Sequence, residues 1–107
     1  MGNQRGQFRI AVERQGVVTL GAKTAPCHVR NVTEAGFLIE TDLQIAAGDT
    51  IRIECQLDEH SHIHCVLLVA SAVPPLFGGR ITQISPEHQQ QLTNFMNRLI
   101  TANLVGL

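Results

Sequence analysis

The sequence predicts an all-β domain with one helix: a small antiparallel β-barrel followed by a C-terminal α-helix. Two observations predict this class. Short apolar segments separated by glycine, proline and aspartate turns run from residue 10 to residue 84, and apolar residues recur at helical spacing from about residue 86. A chain of 107 residues also fits a single domain with one core.

The N-terminal half contains three predicted strands. The first strand region runs from Ile10 to Leu20, and Gln15–Gly16 is expected to break it. A loop is expected from Gly21 to Pro26, because glycine and proline most often interrupt regular structure. Further strands are predicted from Cys27 to Val32 and from Phe37 to Glu40.

The rest of the strand region contains the clearest alternation. Every second residue of one segment is apolar, which places these side chains on one face of a strand: Ile51, Ile53, Cys55 and Leu57. A long strand is predicted from His62 to Val73, and its second half is apolar on both faces, which indicates that the strand is central. Pro74–Pro75 is expected to end it, and the last strand is predicted from Phe77 to Ile84.

The final segment changes to helical spacing. Ser85, Pro86 and Glu87 are typical of a helix start, with a capping hydroxyl, a proline at the first helical position and an acid near the positive end of the dipole. The apolar residues that follow are Leu92, Phe95, Met96, Leu99 and Ile100. Their spacing indicates an amphipathic helix that covers an end or an edge of the barrel.

The composition is that of a globular protein with little net charge. The chain is 44% hydrophobic and 16% charged, with a net charge of −1. That balance argues against a general nucleic-acid binder, whose phosphate contacts need a basic excess. The three cysteines form no C-x-x-C pair, and their odd number suits a reduced compartment better than a disulfide framework. Because no apolar signal segment or membrane-length apolar run occurs, we expect a cytoplasmic protein.

Two arginines lie four residues apart near the N-terminus. Residues 1–9 are polar and are expected to form a flexible leader ahead of a domain that spans 10–107. In an extended leader, the spacing of Arg5 and Arg9 lets both guanidinium groups close over one ligand. A guanidinium binds phosphate, pairs with the O6 and N7 acceptors of guanine or stacks on a base.

A polar corner between two predicted strands complements the arginines. Asn31 offers an amide that both donates and accepts, Thr33 offers a hydroxyl, and Gly36 allows the backbone to approach a ligand closely. Together these groups suit a guanine nucleotide that carries phosphates. The alternative is an ordinary turn, in which the polar side chains bond their own backbone and the glycine occupies a positive-φ or bulge position.

A second candidate site is an alternating histidine triplet. His60, His62 and His64 would project from one face of a strand, and imidazoles with a thiolate from Cys55 or Cys65 could bind a metal. No other ligand falls at a spacing that completes such a site. Both cysteines alternate in phase with apolar residues, which favours small core residues over reactive thiols. No nucleophile and base occur in a catalytic pattern, so we expect no enzymatic activity.

The chain resembles the PilZ domain, a bacterial receptor module for the second messenger cyclic di-GMP. Arg5–Arg9 matches the R-x-x-x-R pattern of that family, and Asn31–Gly36 matches its [D/N]-x-S-x-x-G pattern except that Thr33 replaces serine. The resemblance continues through four further segments: Gly36–Ile39, Ala47–Ile51, Phe77–Ile81 and Ser85–Glu87.

The resemblance implies a six-stranded barrel with a C-terminal helix that binds cyclic di-GMP at the barrel surface and needs no cofactor. By position, Arg5 and Arg9 would clamp guanine and phosphate, Asn31 and Thr33 would bond a guanine edge, and Gly36 would keep the corner open to the ligand. It also implies that ligand binding changes how the leader packs on the barrel and that a partner protein reads the change. Because the extra methyl of Thr33 stiffens the side chain, we expect binding that is weakened or unchanged. Loss of binding is the third outcome.

Three hypotheses therefore follow from the sequence. The first is a cyclic di-GMP receptor without catalytic activity. The second is a metal-binding barrel that uses His60, His62 and His64. The third is a PilZ-like interaction module that does not bind nucleotide. The sequence leaves open the partner, the controlled process, a monomer or a homodimer, and one or two ligand molecules per chain.

Overall fold

The computed structural model describes residues 9–105, and describes the side chains of residues 9–102. The predicted leader therefore lies outside the described residues except for Arg9. Six strands precede one helix along the chain. They are β1 (Ile10–Leu20), β2 (Lys23–Val32), β3 (Gly36–Glu40), β4 (Thr50–Asp58), β5 (Ser61–Val73), β6 (Leu76–Ile84) and α1 (Pro86–Val105).

The six strands form a closed antiparallel barrel in the order β1-β2-β3-β6-β5-β4. Pairing of β3 with β6 and of β1 with β4 closes the sheet, so every described strand has a neighbour on both sides. The prediction of a six-stranded barrel with a C-terminal helix is confirmed.

Inward-facing apolar side chains fill the barrel. The most deeply buried, with no exposed surface, are Val18, Val29, Val32, Ile39, Ile53, Leu57, Ile63, Leu67 and Leu92. The predicted alternation in β4 is confirmed, since the four apolar residues are buried and the residues between them are exposed. Removing this apolar surface from water is the main force that holds the barrel closed.

Helix α1 begins as predicted and packs against β5. The backbone N–H of His88 donates to Ser85 Oγ at 3.1 Å, which caps the helix. Phe95 and Met96 are buried in the common core. Arg98 of α1 also contacts both residues that flank the β4–β5 turn: its Nη2 donates to Asp58 Oδ2 at 2.7 Å and to Ser61 Oγ at 2.8 Å. Within the described residues, no helix combines the length and apolar character needed to span a bilayer.

The predicted break and loop in the first hairpin are wrong. β1 continues through Gly16. A Cβ at this position would lie 2.8 Å from the carbonyl oxygen of Glu54, so the glycine permits the close approach of β4. β2 begins at Lys23, so the loop is only a two-residue turn with Gly21 at φ +62°. Pro26 lies inside β2, beyond the last residue of that strand that pairs with β3, where a missing N–H is tolerated.

The predicted central position of β5 is confirmed, since it pairs with β4 on one side and β6 on the other, but its second half is not buried on both faces. Leu67 and Val69 face the core and are buried, but Ala70 is exposed and Val73 is 73% exposed. In a closed barrel each strand has two neighbours whatever its composition, and the outer face remains open to solvent. Apolar character on both faces therefore does not mark burial on both faces here.

All three cysteines are free and buried, as predicted for core residues. Burial raises the pKa of Cys27 from about 9 to about 11. Burial also raises the pKa values of Cys55 and Cys65 to about 12, and repulsion from Cys65, Cys27 and Glu54 adds to the effect at Cys55. The folded barrel thus holds its thiols in the protonated form, in which they are poor nucleophiles.

We expect stability to fall between about pH 9 and pH 12. Unfolding exposes thiols that ionise near pH 9, whereas the folded state retains their protons until pH 11–12. The contribution is complete below pH 9 and is lost as pH rises, by at most about 1.4 kcal/mol per pH unit for each thiol. Urea unfolding at pH 8 and pH 10.5 measures how the free energy of unfolding changes with pH. An equal change with pH in the triple variant Cys27→Ala, Cys55→Ala, Cys65→Ala would contradict its attribution to the thiols.

Candidate ligand-binding site

A cavity of about 520 Å³ lies on the outer surface of the barrel, where the corner between β2 and β3 meets β5 and β6. Its volume is within the range of small-ligand sites. The cavity is lined by Arg9, Asn31, Thr33, Ala35, Gly36, Phe37, Leu38, Ala70, Ser71, Gly78, Gly79 and Arg80.

The cavity brings together four of the five predicted site residues. Arg9 enters from the residue before β1, Asn31 and Thr33 from the end of β2, and Gly36 from the start of β3. Arg5 lies outside the described residues, so its predicted contact stays a prediction. Two motifs that are twenty-one residues apart in the sequence thus meet at one surface.

A strand irregularity aims Asn31 at the cavity. Between β2 and β3 the register shifts after Val29, so that Arg30 is an extra residue in β2. Val29 and Val32 are buried, while Arg30 and Asn31 between them both remain partly exposed. Bulges commonly redirect a side chain in this way. Within the described part of the chain, the amide of Asn31 has no hydrogen-bond partner.

The hydroxyl of Thr33 organises the corner itself. Its Oγ1 accepts hydrogen bonds from the N–H groups of Ala35 at 3.0 Å and Gly36 at 2.9 Å, and donates to the Gly36 carbonyl oxygen at 3.2 Å. The backbone N–H of Thr33 reaches the same carbonyl at 2.9 Å. The ordinary-turn reading is therefore correct for this side chain. The predicted bond from Thr33 to a guanine edge stays a prediction.

Gly36 is required by the packing of β3 on β6. Its φ is not positive, and no bulge lies at its pair with Arg80, so neither form of the turn alternative applies to it. A Cβ at this position would overlap the carbonyl oxygen of Gly79, which is backbone and cannot move aside. The absent side chain lets the two strands approach and lets the corner form one wall of the cavity.

Sequence reasoning missed the opposite wall. Ser71 of β5 and Gly78, Gly79 and Arg80 of β6 line the cavity. The pairing of β5 with β6, which places Ser71 opposite Gly78, brings these residues to the corner. The segment Phe77–Ile81 had a detectable family resemblance, but no pattern within it indicated which strand it would face.

The cavity favours an anion. Its lining includes the two arginines Arg9 and Arg80 and, among the described residues, no carboxylate. Neither guanidinium has a hydrogen bond or ion pair to another described residue. By contrast, Arg14, Arg30 and Arg98 all donate to protein acceptors. Unpaired guanidinium groups that share one cavity attract phosphate or carboxylate.

A larger cavity of about 730 Å³ adjoins the first and shares Asn31 and Leu38 with it. One of its two arginines, Arg30, is already paired with carboxylates: Nε donates to Glu40 Oε1 at 2.8 Å, and Nη1 lies 3.4 Å from Glu13 Oε2. Because both carboxylates line this neighbouring cavity and offset the guanidinium charge, the smaller cavity is the better anion site.

The structure places only two of the three histidines on one exposed strand face. His60 lies in the turn before β5, and His62 and His64 lie on its exposed face. The fold adds His88 from α1, whose ring centroid is 6.4 Å from that of His62 and 6.3 Å from that of His64, and Glu54, whose Oε2 is 3.0 Å from His62 Nε2. Residues 9–102 nevertheless contain no group of three or more ligands placed to hold a metal.

Comparison with known proteins identifies the protein family. The family model described as PilZ domain matches residues 3–98, and the chain therefore belongs to the PilZ domain family. No curated protein matches the sequence.

Several solved structures share the fold at low sequence identity. The PilZ domain of YcgR from Escherichia coli, solved with c-di-GMP, is 15% identical with a TM-score of 0.74, over 94% of this chain and 95% of that one. The inhibitor of motility MotI/DgrA of Bacillus subtilis is 16% identical with a TM-score of 0.74, over 92% and 52%. PlzA of Borreliella burgdorferi, in complex with c-di-GMP, is 15% identical with a TM-score of 0.64, over 87% and 41%. This chain thus spans about half of MotI/DgrA and less of PlzA.

Two glycine substitutions separate the requirements of the fold from those of the cavity. We expect Gly36→Ala to lower the free energy of unfolding by at least about 2 kcal/mol, because the new methyl collides with backbone. We expect Gly78→Ala to cost less than about 1 kcal/mol, since the nearest atom to its methyl is the movable Ser71 Oγ at 2.8 Å. Urea unfolding of both variants is the measurement. Equal losses would contradict the steric role of Gly36.

Proposed function

We propose that this protein is a cyclic di-GMP receptor without catalytic activity and that the ligand occupies the 520 Å³ cavity. One observation carries the proposal: the cavity combines residues of both sequence motifs with two arginines that have no partner among the described residues, and its described lining holds no acidic group. Membership of the PilZ family and the c-di-GMP complexes of YcgR and PlzA support it.

The arginines supply the attraction for the phosphates and the guanine. Arg9 lines the cavity, and Arg5 precedes it by four residues in the sequence. A guanidinium can pair bidentately with a phosphodiester or with guanine O6 and N7, and its plane can stack on the base. We propose that Arg5 and Arg9 close over the ligand from the leader side.

The corner supplies recognition of the guanine edge. The amide of Asn31 presents a donor and an acceptor from a half-buried position, and it can meet guanine groups of the opposite kind. The hydroxyl of Thr33 is engaged in the corner, so a direct bond to the ligand would replace one of its three contacts. Its first contribution is to hold the backbone of Ala35 and Gly36 in place. The methyl that distinguishes threonine from serine leaves that contribution intact.

The output is a change in the leader. A segment that carries two ligand-binding arginines gains contacts to the barrel when the ligand binds, and such ordering can be read by another protein. We propose that a downstream protein partner recognises the leader and the ligand-bound corner together. A PilZ-type module that no longer binds nucleotide is the remaining alternative, and the binding experiment distinguishes the two.

Calorimetric titration of the full chain with cyclic di-GMP tests the proposal. We expect saturable heat with cyclic di-GMP and none with GMP or GTP at the same concentrations. Arg9→Ala and Asn31→Ala should each weaken binding, by about tenfold or more for Arg9, because a hydrogen bond to a charged group contributes roughly 1.5–3 kcal/mol.

Arg52→Ala is the matched control. Arg52 is an exposed arginine of β4 that does not line the cavity, so its removal changes net charge equally but should leave affinity within about twofold. A folded wild-type protein that gives no heat with cyclic di-GMP would contradict the receptor function and favour the nucleotide-free module. Equal losses in Arg9→Ala and Arg52→Ala would contradict the location of the site.

A further inference from the structure

We propose that Arg80 is a further ligand-binding residue, which contacts a phosphodiester of the ligand from β6. This inference rests on the proposed function, since it assigns a contact within the same cavity. Arg80 belongs to neither motif that the sequence analysis connected with the ligand. The strand pairing of the closed barrel brings it to the site.

The register of β6 directs Arg80 to the cavity. Phe77 faces the core and is buried, so strict alternation turns Gly78 and Arg80 to the outer surface. Arg80 pairs with Gly36 of β3 on one side and with Leu68 of β5 on the other. The backbone N–H of Ile81 donates to the Ala35 carbonyl oxygen at 2.7 Å, which ties the next residue of β6 to the corner.

The positions beside Arg80 leave room for a ligand. Gly36 stands opposite it across the ladder, and Gly78 stands two residues earlier on the same face. Neither position has a side chain that could cover the surface or compete for the guanidinium. Backbone therefore forms this part of the cavity, and a flat group such as a base or a sugar-phosphate can lie close to it.

The charge of Arg80 is not used inside the described structure. Three other arginines are fixed by protein acceptors, whereas Arg80 is exposed and has no such acceptor among the described residues. Cyclic di-GMP carries two phosphodiesters. Arg9 approaches the cavity from the segment before β1, and Arg80 approaches it from β6. We therefore assign one phosphodiester to Arg80.

The position of Arg80 on a paired strand lowers the entropic cost of binding a ligand. The backbone of β6 is held by hydrogen bonds to β3 and β5 before any ligand arrives. Binding through Arg80 therefore orders only one side chain, which costs less conformational entropy than ordering backbone as well.

The test is titration of the full-length variants Arg80→Ala, Arg80→Lys and Arg52→Ala with cyclic di-GMP. We expect Arg80→Ala to weaken binding by about tenfold or more, and Arg80→Lys to weaken it less, because lysine keeps the charge but not the two-pronged donor geometry. Arg52→Ala removes an exposed arginine away from the cavity and should bind within about twofold of wild type. Thermal unfolding of each variant confirms that the fold is intact.

Each result has one meaning. Wild-type binding together with equal affinities for Arg80→Ala and Arg52→Ala would overturn the role of Arg80 and leave the proposed function standing. An Arg80→Lys affinity no better than that of Arg80→Ala would overturn the phosphodiester contact. Failure of the wild-type protein to bind would overturn the proposed function, and this inference with it.

Discussion

The approach of β3 to β6 at Gly36 is the contact on which the barrel and its site both depend. β3 and β6 are not consecutive in the chain, and their pairing closes the sheet. At this point the backbones are so close that a Cβ on Gly36 would overlap the carbonyl oxygen of Gly79. The same approach sets the β2–β3 corner beside Ser71 and Arg80, so that one glycine serves both closure and assembly of the cavity.

Around this contact the corner is organised before a ligand binds. A bulge turns Asn31 outward, and the hydroxyl of Thr33 is hydrogen-bonded to the backbone of the turn. The site thus divides its tasks: Thr33 and Gly36 hold a shape, while Asn31, Arg9 and Arg80 present groups without partners in the described structure. Preorganisation of this kind reduces the ordering cost of binding, which matters for a small, polar ligand whose contacts must exceed the loss of hydration.

The sequence was most informative where one physical pattern acts locally. The alternation of β4 and the capped, amphipathic α1 were predictable because period and capping are properties of a single segment. Errors occurred where a distant strand decides. Gly16 looked like a break but accommodates β4, and Pro26 looked like a loop boundary but lies where β2 has lost its second neighbour. For the same reason the motifs indicated Arg9, Asn31, Thr33 and Gly36, whereas Arg80 became visible only through strand pairing.

The most direct measurement of the central claim is a titration of the isotopically labelled protein with cyclic di-GMP, followed by amide chemical shifts. We expect saturable shifts for the amides of the corner, 33–36, and of the facing wall, 78–80, while the exposed histidine face of β5 at 62–64 stays unchanged. Shifts confined to the histidine face, or an absence of shifts at saturating ligand, would contradict a cyclic di-GMP site at the junction of β3 and β6.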